Sequence, residues 1–93
     1  MDNLDEFIAR RRSGLAVRTA AILRELANGA NVETVRRELH RIVGTCATFG
    51  LMEGSRGAAD LLVRVRDDRV SDLAAELIAL AEVFTRTTEG EEC

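Results

Sequence analysis

Asn31-Val32-Glu33-Thr34-Val35-Arg36-Arg37-Glu38-Leu39-His40-Arg41-Ile42-Val43-Gly44-Thr45-Cys46-Ala47-Thr48-Phe49-Gly50 places its core candidates at Val35, Leu39, Ile42, Cys46 and Phe49, spaced four, three, four and three residues apart. That alternation marks an amphipathic helix with one apolar stripe. With Val35 at zero and about 100° per residue, the other four lie within about 40° of it. Asn31 can cap the start and Gly50 can stop the end, which predicts a helix from about 32 to 50. A lone stripe has to be buried against other helices, so the rest of the chain should supply them.

Upstream, Leu4, Ile8, Leu15, Thr19, Ile22 and Leu26 recur at helical spacing, interrupted by Arg11 and Arg12, with Ser13-Gly14 weakening the middle. This predicts a long helix from about 3 to 28, ended by Asn28-Gly29. Downstream, Ala58, Leu62 and Val65, with Ala59 and Leu61 beside them, predict a third helix up to Asp67-Asp68. Ser71 is the expected cap of a fourth, whose stripe is Leu73, Leu77, Leu80 and Phe84. Four amphipathic helices joined by short links predict an all-α, up-down-up-down antiparallel four-helix bundle over 1–88, followed by a disordered acidic tail over 89–93.

Length and composition agree with a single domain. At 93 residues one modest core is all that can be built. Proline is absent and only three aromatics occur, which argues against a sheet of short strands. All thirteen cations are arginine, yet the net charge is −3, so no nucleic-acid partner is expected. Arg10-Arg11-Arg12 reads as a solvated helix face beside Asp2, Asp5 and Glu6. Cys46 and Cys93 make neither a disulfide framework nor a metal-type pair. No apolar run is long enough for a membrane span and the first residues are acidic, so a cytoplasmic protein with no membrane partner is expected.

His40 is the only histidine. It falls about 140° from the core line, with Ala47 at about 120°, Gly44 at about 180°, Arg36 at about 100° and Arg37 at about 200°. An exposed imidazole thus has arginines one turn before it and small residues after it. Gly44 costs a helix interior about 1 kcal/mol relative to alanine, and clearing space beside the imidazole would account for it. Neutral imidazole is a competent nucleophile near neutral pH without a carboxylate to activate it. No Ser/His/Asp set, zinc-protease motif or Gly-rich phosphate loop is present, which disfavours hydrolysis and nucleotide binding.

The run from His40 through Gly44, Thr45 and Ala47 to Phe49-Gly50 resembles the signature of the histidine-phosphotransfer (HPt) family, and the four-helix reading extends the resemblance over nearly the whole chain. The resemblance implies a phosphocarrier rather than an enzyme, taking a phosphoryl group on His40 from a receiver-domain aspartyl-phosphate and passing it to another receiver. It implies response-regulator receivers and a hybrid histidine kinase as partners, a monomer with no cofactor of its own, and magnesium held by the receiver. Val43, Ala47 and Leu51 are the expected docking strip. Where the family often has lysine three residues after the histidine, this chain has Val43, so Arg36 and Arg37 are the expected replacements beside the phosphoryl group. The alternative is a bundle of the same shape acting as a non-catalytic adaptor that binds receiver or kinase domains without being phosphorylated. A kinase dimerisation region would want an acidic residue after the histidine, where Arg41 stands.

Overall fold

The computed structural model describes the backbone of residues 2–92 and the side-chain surroundings of residues 4–87. Four helices follow in order: α1 Asp2–Ala27, α2 Val32–Thr48, α3 Met52–Arg66 and α4 Leu73–Glu92. They form the expected up-down-up-down bundle, with α1 packed chiefly along α4 and α2 along α3. The disordered tail expected over 89–93 concerns residues whose side chains lie outside the described set, and the α4 backbone continues through Glu92.

Local chemistry sets the links. Asn31 Oδ1 accepts the Thr34 amide at 2.8 Å, satisfying one of the free donors that open α2. At the other end the Leu51 amide donates to the Cys46 carbonyl at 2.9 Å and the Gly50 amide to Ala47 at 3.1 Å, with Gly50 at φ +79°. This paired closure is a Schellman turn. The link after α3 repeats it with Asp68 at φ 57°, where the Arg69 amide donates to Arg64 and the Asp68 amide to Val65. For α4 the cap is Asp72, whose carboxylate accepts the Ala75 amide at 3.1 Å. Ser71, the expected cap, lies one residue too early, because α4 begins at Leu73.

Val35, Leu39, Ile42 and Cys46 are buried as α2 periodicity predicts, and so are Leu77, Leu80 and Phe84 of α4. Two stripes differ. In α3 the buried line runs through Gly54, Ser55, Ala58 and Leu61, leaving Leu62 and Val65 half-buried on its margin. In α1 the buried face is Ala16, Thr19, Ala20, Leu23 and Leu26, whereas Leu4, Ile8 and Ile22 are exposed. Thr19 and Leu26 of the expected stripe are buried, and the centre of the buried face lies about 70° round from that of the expected one. Alanines on it let α1 lie close to α4, and close packing of small side chains outweighs the larger apolar area of the other face.

Two glycines of α3 face side chains of α4 directly. A Cβ at Gly54 would come within 2.3 Å of the Phe84 ring, and one at Gly57 within 2.8 Å of Leu80 Cδ1. Arg64 closes the other end of this seam with a two-pronged contact to Glu76, both bonds 3.2 Å, and a third bond to Asp60. On the opposite side of α3, Ser55 Oγ donates to the Val43 carbonyl at 2.9 Å, pinning α3 to α2 three residues beyond His40. Arg12 departs from the solvated arginine face expected for residues 10–12. It is half-buried, and its Nε donates to the Phe49 carbonyl at 2.9 Å, tying α1 to the end of α2.

Candidate functional site

His40 is exposed near the middle of α2, on the outward side that the core stripe requires. Between α2 and α3 an open depression of about 340 Å³ is lined by Glu33, Arg36, Arg37, His40, Leu62 and Arg66. The imidazole therefore borders a concave surface with three guanidinium groups around it. Beside it on α2, a Cβ built at Gly44 meets nothing within 4 Å, so the glycine leaves open space rather than relieving a clash.

The three arginines are not equivalent. Arg36 is engaged by Glu33, Nη1 to Oε1 at 2.8 Å across one helical turn. Arg37 and Arg66 make no ion pair among the described residues. Free guanidinium groups at the rim suit an arriving dianion, because each presents several N–H donors in a fixed fork. Arg66 is the residue that sequence reasoning missed. It lies one turn beyond Leu62 on the side of α3 that faces α2, and only the antiparallel register brings it opposite Arg36 and His40. The one available signal was the i,i+4 pairing of Leu62 with Arg66, and Arg64 competes with it in sequence. Arg64 points the other way, to Glu76.

The expected docking strip is partly corrected. Ala47 is exposed and Val43 is half-buried, but Leu51 is only 4% exposed. The Schellman turn through Gly50 folds Leu51 inward over Cys46, as the residue after such a turn commonly does. Met52, the first residue of α3, is 46% exposed and is the accessible apolar side chain at this junction. Val43 takes part in the packing against the core, so this position brings no charge to the depression.

Cys46 is free and buried on the far side of α2. Burial pushes its thiol up, partly opposed by a hydrogen bond with Thr19, which leaves a poor nucleophile. Among the described residues no group of three or more His, Cys, Asp or Glu side chains stands together as a metal site. Among them, too, no helix is long and apolar enough to cross a membrane.

No curated protein and no solved structure matches the chain. The sequence pattern of the Hpt domain does match, across residues 6–89. That span runs from the first turns of α1 almost to the end of α4, so it takes in all four helices and the depression beside His40. The chain therefore belongs to the Hpt domain family, whose members serve histidine phosphotransfer in phosphorelay signalling.

Proposed function

We propose that His40 accepts a phosphoryl group from the aspartyl-phosphate of one receiver domain and passes it to the aspartate of another. The observation that carries this reading is the exposed imidazole at the edge of a depression holding two unpaired arginines. With its proton on Nδ1, the neutral ring offers the Nε2 lone pair in line to phosphorus. The Nε2–P bond forms as the P–O bond breaks, and that electron pair leaves with the receiver's carboxylate. Transfer onward reverses these bond changes at a second carboxylate. Such transfer depends on positioning and on neutralising the three equatorial oxygens. Magnesium in this reading belongs to the receiver.

Arg37 and Arg66 are proposed to contact the phosphoryl oxygens, with Arg36 joining when it leaves Glu33. Gly44 leaves room for the receiver to close over the ring, and Ala47 and Met52 supply apolar contact beside it. Val43, uncharged where the family often has lysine, favours the adaptor alternative, in which the same face binds receiver or kinase domains without taking phosphate.

Incubation with a panel of radiolabelled phospho-receivers separates the two. The expected result is an acid-labile, base-stable adduct on the wild type and none on His40→Gln, with the helical circular dichroism of the two unchanged. A wild type that binds receivers but takes no label would establish the adaptor, and equal labelling of His40→Gln would remove His40 from the role.

A further inference from the structure

Glu33, Arg37 and His40 follow one another along the outer surface of α2 at spacings of four and three residues. Arg37 and His40 lie within about 40° of the line through Glu33, and Arg36 about 60° to one side of it. All four border the depression, where Glu33 is the one carboxylate. Its Oε1 accepts from Arg36 Nη1 at 2.8 Å. Arg36 is thus already engaged, whereas Arg37 and Arg66 make no ion pair among the described residues. Three guanidinium groups and one carboxylate leave the lining with two net positive charges. A side-chain phosphoryl group carries about −1.5 to −2 near neutral pH, so the lining matches that charge and does not exceed it.

We propose that Glu33 is a positioning residue that competes with the phosphoryl group for Arg36, and so sets how readily His40 gives the group up; this rests on the phosphotransfer reading. Arg36 reaches the phosphoryl oxygens with Nη1 only by leaving Glu33. The two side chains are 45% and 82% exposed, so Arg36 can turn from one anion to the other without disturbing the core. A carrier has to release what it accepts. Three unopposed guanidinium groups would hold the phosphoryl group on His40, whereas one of them kept by Glu33 leaves the exchange with a receiver aspartate closer to balance. Glu33 takes no proton and touches no reacting atom, and the bonds to phosphorus form and break as described for His40.

Distance decides the route of the effect. Glu33 stands two turns before His40, about 10 Å of helix rise, which is at least a Debye length at physiological salt. Direct repulsion between its carboxylate and the phosphoryl group is therefore screened, and its influence passes through Arg36. Glu33 also lies in the first turn of α2, where a negative charge favours the helix N-terminus. That second role concerns folding stability and leaves the phosphoryl equilibrium alone, so the two are separable by measurement.

The test uses the whole chain with one radiolabelled phospho-receiver and reads the ratio of phospho-His40 to phospho-receiver once exchange has come to equilibrium. Glu33→Gln should raise that ratio by about two- to fivefold, the factor that an exposed ion pair is worth, and should slow delivery from phospho-His40 to a fresh receiver. In an Arg36→Gln background the same change should have no effect, because the carboxylate then has no arginine to hold. Glu82→Gln, which alters the net charge equally from α4, should leave the wild-type ratio. Thermal unfolding followed by circular dichroism reads the helix-end role of Glu33 by itself. A ratio that Glu33→Gln does not move would overturn the proposal, whatever happens to the thermal midpoint. So would a rise of the same size with and without Arg36, which would make Glu33 a source of general repulsion. A wild type that takes no label removes the phosphotransfer reading and this inference together, whereas a labelled wild type with an unmoved ratio removes the role of Glu33 alone.

Discussion

Gly44 stands in the interior of α2, where glycine costs about 1 kcal/mol relative to alanine, and Gly54 stands in the first turn of α3. Their surroundings are opposite. Gly44 has open space where a side chain would stand, one turn from His40. Gly54 has the Phe84 ring inside that space, and Phe84 is itself fully buried and cannot swing clear. The buried glycine is kept by packing within the molecule. Nothing within the molecule requires the exposed one, so its reason has to come from outside, which is where a docking partner would be.

The sharpest way to break this contrast is Gly54→Ala, which should lower unfolding free energy by about 1–3 kcal/mol as the ring is driven off its seat on α3. Chemical denaturation measures it, and a neutral result would mean that α3 and α4 can move apart at no cost. Next in size is Arg37→Gln/Arg66→Gln. If these two guanidinium groups hold the phosphoryl oxygens, transfer from a phospho-receiver should slow by about tenfold while stability stays the same. Arg41→Gln, about 100° round α2 from His40 and outside the lining of the depression, serves as control, and a wild-type rate for the double variant would assign all the positive charge to the receiver.

Gly44 itself gives a smaller change of opposite sign to Gly54. Gly44→Ala should raise stability by up to about 1 kcal/mol, a thermal midpoint higher by roughly 4–8 °C, and Gly44→Gln should slow transfer without unfolding the bundle. Normal transfer by Gly44→Gln would show that access is not why the glycine is there. The smallest effect concerns a position that lacks a glycine. Asp68 occupies the left-handed conformation that closes α3, so Asp68→Gly should stabilise by about 0.5 kcal/mol, readable as a shift in denaturation midpoint with an unchanged slope.

Periodicity was a reliable guide where one stripe dominated and a poor one where two competed. In α2 the only apolar line available was Val35 to Cys46, and it is the one buried. In α1 the larger residues Leu4, Ile8 and Ile22 outweighed the alanines in any reading of hydrophobicity, yet the alanine face is the one turned inward. Neighbour distance made that choice, and neighbour distance is a property of the assembled bundle. The same holds for Leu51, whose apolar character beside His40 suggested docking until the turn at Gly50 carried it into the core.

By itself, then, the sequence determined four helices, the links between them and the outward direction of His40, because capping, turn closure and a 3.6-residue period act within a few residues of one another. It could not determine which of the three arginines near the end of α3 and the start of the next link, Arg64, Arg66 and Arg69, would stand across from the imidazole. Arg66 joins Arg36 and Arg37 there, and Arg64 is drawn to Glu76, only because α2 and α3 run antiparallel at one particular register. Register is set by how the half-buried and buried side chains of two helices fit together, so a site divided between helices is decided by packing.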